Sequence, residues 1–141
     1  MKTFPKIAAV VAVAGAAVFA SVLPGSADVA AQSPSVGAVR VESPATLDAR
    51  GAVVRVSVTV VCTPGQPAYV GIDLVQRSGG DIARGGDSHY IPSCTGGAQT
   101  VELIATAYEE PFRKGVTWAR GSLNTPSYGT IYDEREIEIV R

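Results

Sequence analysis

The sequence predicts an all-β protein, an antiparallel β-sandwich of about seven short strands. Short segments that alternate between apolar and polar residues recur from residue 38 onward, and Gly- and Pro-rich turns separate them. This part of the chain shows no continuous helical periodicity. A small β-barrel is the alternative, because its strands show the same alternation.

The clearest strand lies at residues 52–62. Its even positions, from Val54 to Cys62, are all apolar, whereas Arg55, Ser57 and Thr59 occupy odd positions. Successive side chains of a strand point to opposite faces, so the valines form one continuous stripe. We therefore expect this stripe to pack into the core and the other face to meet water.

The other predicted strands are shorter or less regular, and turn residues separate them. They lie at 38–42, 45–48, 68–77, 82–84, 99–108, 116–123 and 130–141. Two Gly-Gly-Asp triplets, at 79–81 and 85–87, are each predicted to be turns. Residues 88–97 are predicted to be a loop-rich segment. Val116 and Trp118 share one side of their strand, which favours a core position for the tryptophan.

The N-terminal segment has the features of a secretory signal peptide. Lys2 and Lys6 precede an uncharged apolar run at 7–23, and small residues follow Pro24. Cleavage after Ala27 or Ala31 fits the small-residue rule, and Ala31 leaves the more polar new terminus. We predict a removed signal peptide at 1–31 and one secreted domain at 32–141, with no stable membrane anchor after cleavage. An uncleaved membrane anchor is the alternative.

The two cysteines, Cys62 and Cys94, are predicted to form a disulfide in an oxidising compartment. Closing that loop stabilises the fold by about 3–4 kcal/mol in the chain-entropy account. A metal site is the alternative, but zinc takes about four ligands and only His89 could join the thiols. Two carboxylates from the Gly-Gly-Asp triplets could face Ca²⁺, yet their spacing matches no calcium loop. No metal or cofactor is predicted.

Three stretches resemble small, uncharacterised secreted proteins of actinobacteria. They are the strand and its flanks at 45–65, Cys-Thr-Gly-Gly-Ala-Gln-Thr-Val at 94–101, and Glu-Arg-Glu-Ile-Glu-Ile-Val-Arg at 134–141. The resemblance implies an Ig-like sandwich layout and brings no functional residues with it. In immunoglobulin domains a Trp lies between two distant cysteines, whereas Trp118 follows both cysteines here.

The charge balance argues against one class of function. Twelve Lys and Arg residues face thirteen Asp and Glu residues, for a net charge of −1. Nucleic-acid binding by phosphate neutralisation needs a basic face, so we expect no nucleic-acid partner.

A non-catalytic binding or structural module is the predicted function. Exposed aromatic side chains on one face would suit a protein or carbohydrate partner. Tyr69, Tyr90 and Tyr128 are the candidate binding residues, and an unknown protein or a cell-wall polymer is the expected partner.

Two other functions remain open. A small hydrolase would use His89, the only histidine, but adjacent Asp87, Ser88 and His89 cannot converge as a triad along an extended chain. We therefore predict that the protein is not an enzyme. A secreted protease inhibitor would present residues 63–67 or 88–93, which flank the predicted disulfide and would be preorganised by it.

Overall fold

The computed structural model describes residues 37–141, so the predicted signal peptide at 1–31 lies outside the described residues. Eight strands form in this range, and a 3-10 turn at Ala49–Gly51 links the second strand to the third. The strands are β1 (Ala38–Val41), β2 (Ala45–Asp48), β3 (Val53–Val61), β4 (Ala68–Ser78), β5 (Asp81–Ile91), β6 (Gln99–Ala107), β7 (Gly115–Thr125) and β8 (Gly129–Val140). The all-β prediction is confirmed.

Strand β3 has paired neighbours along both of its edges. It runs antiparallel to β6 from Val53, opposite Thr106, to Val60, opposite Gln99. Its other edge is shared, because β2 pairs with its first residues and β1 with its last residues. The strand predicted at 52–62 therefore lies at the centre of the pairing pattern.

The sheet closes on itself, and the predicted Ig-like sandwich is wrong. From β3 the paired neighbours are β6, β5, β4, β7, β8 and β2, which returns to β3. The last closure is a short parallel pairing, in which Ala45 and Thr46 of β2 lie opposite Ile139 and Val140 of β8. The result is a seven-stranded β-barrel. Alternation cannot separate the two folds, because strands of both have an inner and an outer face.

The core lies inside the barrel and is mainly aliphatic. The even residues of β3, from Val54 to Val60, are fully buried, as predicted. The other buried residues include Val70, Ile72, Leu74, Leu103, Ala105, Ala119, Leu123, Ile137 and Ile139. Phe112, from the segment between β6 and β7, closes one end of the barrel and is also buried.

The disulfide between Cys62 and Cys94 is confirmed. Both residues are buried, and their Cα atoms lie 5.7 Å apart. Cys62 directly follows β3, and Cys94 lies in the connection from β5 to β6. The bond therefore ties the end of the central strand to the loop at the same end of the barrel.

The predicted turn at 85–87 is wrong, because β5 continues through it to Ile91. Gly85 lies opposite Ala107 of β6, and a Cβ atom there would overlap the carbonyl oxygen of Thr106. A Cβ atom on Gly86 would lie 2.8 Å from the Ile72 carbonyl oxygen. Glycine is needed here for close approach of backbones, a role that the sequence pattern does not distinguish from turn formation.

No helix within residues 37–141 is long and apolar enough to span a membrane.

Candidate functional site

Two tyrosines form a tilted aromatic pair on the outside of the barrel. Tyr69 of β4 lies directly opposite Tyr90 of β5, and their ring centroids are 4.8 Å apart with a tilt of 44°. They are 58% and 48% exposed, while the neighbouring Ala68 and Ile91 are buried. Strand alternation places the rings outside, and the pairing register brings them together.

Two more exposed tyrosines lie around the same surface. Tyr132 of β8 lies opposite Ser122 of β7, which lies opposite Gly71 of β4. Tyr108 follows β6, and its hydroxyl reaches over the position of Gly86 on β5. We call the outer surface of β8, β7, β4 and β5, with Tyr69, Tyr90, Tyr108 and Tyr132, the tyrosine face.

A shallow groove lies on this surface, and Tyr108 is the tyrosine that lines it. It has a volume of about 420 Å³. Its lining residues are Gly71, Ile72, Asp73, Gly86, Asp87, Ser88, Tyr108 and Ser122. We call it the central groove.

The glycines of the central groove create its depth. A Cβ atom on Gly71 would lie 2.6 Å from the Ser122 hydroxyl oxygen, and one on Gly86 would lie 2.9 Å from the Tyr108 hydroxyl oxygen. A larger side chain at either position would therefore fill part of the central groove. The hydroxyl of Ser122 and the carboxylate of Asp73 remain available to hydrogen-bond a bound molecule.

A smaller depression adjoins Tyr69 and Tyr90. It has a volume of about 220 Å³, and its walls are Pro67, Ala68, Tyr69, Tyr90, Asn124 and Pro126. Asn124 lies opposite Tyr69 in the β4–β7 ladder, so its amide faces the same surface. The tyrosine face thus offers aromatic walls with polar groups between them.

An arginine organises the side of this face formed by β7 and β8. The guanidinium carbon of Arg120 lies 5.4 Å from the centroid of the Trp118 ring and 5.3 Å from that of Tyr132. Its Nε atom also donates to Glu134 at 2.7 Å. These cation–π contacts hold both rings against the sheet.

The core position expected for Trp118 is wrong. Thr117 and Ala119 are the buried residues of this part of β7, whereas Trp118 is only half-buried and Val116 is 62% exposed. The two residues do share a face, as the sequence indicated, but that face is the outer one. The alternation fixes which residues share a face, and the pairing with β4 and β8 decides which face is inside.

The predicted binding residue Tyr128 lies apart from the other two. It is in the turn between β7 and β8, half-buried, and its ring occupies the space that a Cβ atom on Gly37 would need. It lines neither the central groove nor the depression beside Tyr69. The structure therefore brings Tyr69 and Tyr90 together and leaves Tyr128 outside the pair.

His89 is an exposed residue of β5 and lies opposite Val70. Within residues 37–141 its ring forms no hydrogen bond to a carboxylate or hydroxyl. The carboxylate of Asp87 instead accepts two backbone N–H groups, from Ser88 at 2.8 Å and from Ile104 at 2.7 Å. Asp87 therefore joins β5 to β6 and does not orient the imidazole.

The two segments considered for protease inhibition have different structures. Residues 63–67 form a turn that is tied to Cys94, whose carbonyl accepts from Gly65 and whose N–H donates to Gln66, each at 2.8 Å. The first four residues of the 88–93 segment belong to β5 and pair with β4. Only the first of these segments is therefore a turn held by the disulfide.

The described residues contain no cluster of three or more His, Cys, Asp or Glu side chains that could hold a metal ion.

The tyrosine face was only partly visible in the sequence. Tyr69, Gly71 and Asp73 occupy outward positions of the strand predicted at 68–77, and this pattern was the available signal. The other residues of this surface lie on or beside strands that are distant in sequence, so no local sequence pattern could have grouped them. They are Tyr108, Tyr132, Gly86 and Ser122.

No protein-family model matches this chain, and no curated protein matches it in sequence. Among solved structures, macromomycin is 22% identical with a TM-score of 0.38, over 74% of this chain and 100% of its own. A FixG-related protein from Vibrio parahaemolyticus is 13% identical with a TM-score of 0.43, over 74% and 97% of the two chains. A late embryogenesis abundant protein is 14% identical with a TM-score of 0.33, over 74% and 72%. Likenesses of this size assign no function to the chain.

Proposed function

We propose that the protein is a secreted, non-catalytic binding module whose tyrosine face holds a glycan chain of a cell-wall polymer. The observation that carries the proposal is the exposed, tilted pair Tyr69 and Tyr90 on the same surface as a glycine-floored groove. The disulfide and the predicted signal peptide support secretion, because disulfides persist in oxidising compartments.

The chemistry of the face suits sugar rings. The C–H faces of a pyranose are apolar and pack on aromatic rings, while its hydroxyl groups need hydrogen-bond partners at the ring edge. Tyr69 and Tyr90 supply two exposed aromatic rings, inclined at 44° to each other, on which such faces can pack. Asn124, Ser122 and Asp73 supply donors and acceptors at neighbouring positions on the same strands.

The barrel also holds these groups in place before a ligand arrives. Tyrosine has few rotatable bonds, and paired strands fix the backbone beneath Tyr69, Tyr90 and Tyr132. Little conformational freedom is then lost on binding, which favours affinity. The face is built on strands and not on long loops, as suits a site of fixed geometry.

The hydrolase and the protease inhibitor stay alternatives that rest on sequence alone. Within residues 37–141 no carboxylate or hydroxyl group forms a hydrogen bond with the His89 ring. The turn at 63–67 is held by two backbone hydrogen bonds to Cys94.

The test is retention of the purified protein on insoluble polysaccharides and on purified cell-wall material. We expect retention by at least one of these glycans and about a tenfold or greater loss for Tyr69→Ala combined with Tyr90→Ala. The corresponding Phe double variant should retain most binding, since it keeps the ring faces. Ile104→Ala, which removes an exposed apolar side chain of β6, is the matched control.

Absence of retention on every glycan would refute the proposal. Equal retention by wild type and the Ala double variant would refute the assignment of the site.

A further inference from the structure

We propose that the end of the barrel opposite the disulfide is a second binding site, which takes a polyvalent oxyanion carrying phosphate or carboxylate groups. The site lies where β2 ends, β3 and β7 begin, and β8 ends. It is separate from the tyrosine face and independent of the function proposed for that face.

A cavity of about 610 Å³ opens at this end. Its lining residues are Leu47, Asp48, Ala49, Arg50, Phe112, Arg113, Lys114 and Arg141. Four of the twelve cationic side chains of the sequence therefore surround one cavity in a chain whose net charge is −1. The excess of positive charge at this place is local and is not a property of the whole chain.

The single acidic residue of the cavity is already engaged. Asp48 accepts from the backbone N–H of Ala49 at 2.7 Å and from the guanidinium of Arg55 at 3.2 Å. Within residues 37–141, Arg50, Arg113, Lys114 and Arg141 take part in no salt bridge. The cavity thus presents cations with no internal partner.

Two of these cations, Arg113 and Lys114, lie on a segment whose backbone is held by hydrogen bonds at Phe112 and Arg113. The buried side chain of Gln76 accepts from the Arg113 N–H and donates to its carbonyl oxygen, each at 2.8 Å. The N–H of the buried Phe112 donates to the Gly51 carbonyl oxygen at 2.8 Å. The backbone that carries Arg113 and Lys114 is therefore held by core residues.

Arg50 has a backbone conformation that residues other than glycine rarely adopt. Its φ and ψ angles are 58° and 30°, and Ala49 before it has a φ of 46°. Glycine would take this left-handed conformation without steric cost, yet the chain places an arginine there. Strained conformations of this kind concentrate at functional sites, and here the strain places a guanidinium beside the cavity.

The donor set indicates the class of ligand. Guanidinium groups bind oxyanions through two parallel N–H donors. The ammonium group of Lys114 carries three further N–H donors that can rotate toward the same anion. Several such groups around one opening suit a ligand with more than one negative charge. Phosphate and carboxylate groups meet this requirement equally, so the experiment has one arm for each.

The experiment is a calorimetric titration of the protein with pyrophosphate in one arm and citrate in the other, at constant ionic strength set with NaCl. We expect saturable binding in at least one arm, and the arm that binds identifies the anion. Arg113→Gln combined with Lys114→Gln should weaken it about tenfold or more. Arg40→Gln combined with Arg84→Gln, the same charge change elsewhere, should alter it less than about twofold. No saturable binding, or an equal loss in both double variants, would overturn the proposal.

A second pair of variants separates charge from backbone strain. Arg50→Gly and Ala49→Gly should each raise the melting temperature by a few degrees, about 2–5 °C, because each relieves a left-handed residue. Only Arg50→Gly should also weaken anion binding, by about threefold or more. Unchanged affinity in Arg50→Gly would show that this arginine has no part in the site and would contradict the proposal.

Discussion

The carboxylate of Asp133 on β8 accepts the backbone N–H of Val41 on β1 at 2.7 Å, across a gap where the two strands form no ladder. Asp87 on β5 does the same for Ile104 on β6 at 2.7 Å, beyond the point where their ladder ends. An aspartate side chain thus satisfies a backbone donor at each of two openings in the barrel wall. These carboxylates replace missing strand pairing, because an unpaired N–H in the wall would be costly.

Asp133→Ala should destabilise the barrel. The substitution leaves the N–H of the buried Val41 without its acceptor and also removes the hydrogen bond from Arg135. We expect a loss of about 1–3 kcal/mol in the free energy of unfolding, measured by denaturant titration. Glu136→Ala, an exposed carboxylate three residues further along β8, should change it by less than about 0.5 kcal/mol. Similar losses in both variants would contradict the role given to Asp133.

The same carboxylate should make stability depend on pH. Partial burial by itself raises the pKa of Asp133, but the hydrogen bonds from Arg135 and Val41 and the charge of Arg135 bring it below its ordinary value of 3.8. A carboxyl whose pKa is lowered by folding stabilises the protein above its unfolded pKa, and this contribution is lost as the pH falls through the folded pKa.

Asp133→Asn should therefore lose less stability than wild type between about pH 5 and pH 2. Denaturant midpoints measured at several values in this range test the prediction. The pKa of Asp48 is also lowered, mainly by the Ala49 N–H and by Arg55, so some acid sensitivity should remain in the variant. Identical pH profiles for variant and wild type would show that Asp133 titrates alike in the folded and unfolded chains.

Removal of the disulfide should destabilise the fold without changing its topology. Cys62 and Cys94 are 32 residues apart in sequence, and opening the loop costs about 2–5 kcal/mol. We expect this loss in Cys62→Ser combined with Cys94→Ser, with a far-ultraviolet circular dichroism spectrum that still shows β structure. A free-thiol assay on the native wild-type protein should find none. Two titratable thiols, or unchanged stability in the double variant, would contradict the prediction.

Much of the strand layout could be predicted because burial leaves a local trace. The valines of β3 lie inside at the positions that their alternation indicated, and the buried apolar residues of β4 and β6 follow the same alternation. The closure of the barrel could not be predicted in this way. It depends on β3 meeting β6 and on β2 meeting β8, and these pairings leave no periodic signal in either strand.

The candidate sites show the same division. Exposure of Tyr69 follows from its place in an alternating strand, but its contact with Tyr90 depends on the register of β4 against β5. The cationic cavity combines Arg50 with Arg113, residues from different loops that only the closed barrel brings to one end. Gly85 and Gly86 were wrongly predicted as a turn, since glycine serves close backbone approach as well as turns.

Gly86→Ala tests that close approach directly. A Cβ atom at this position would lie 2.8 Å from the Ile72 carbonyl oxygen, which cannot move without disturbing the β4–β5 ladder. We expect a loss of about 1–3 kcal/mol in the free energy of unfolding. Gly80→Ala is the matched control, because a Cβ atom there meets nothing within 4 Å. The control should be neutral or slightly stabilising, by up to about 1 kcal/mol. Equal effects at both positions would refute the close-approach role.

Gly71→Ala should separate binding from folding. Its Cβ atom would lie 2.6 Å from the hydroxyl oxygen of Ser122, a group that can rotate away, and 3.8 Å from the Asp87 carbonyl oxygen. The cost in stability should therefore stay below about 1 kcal/mol, whereas the new methyl group reduces the depth of the central groove. If a glycan lies in that groove, retention on the bound polysaccharide should fall about fivefold or more, equivalent to about 1 kcal/mol of binding free energy.

Combining Gly71→Ala with Ser122→Ala removes the steric conflict but not the methyl group, so the stability should recover and the binding should not. Retention equal to wild type in both variants would place the glycan elsewhere on the tyrosine face, on Tyr69 and Tyr90 alone.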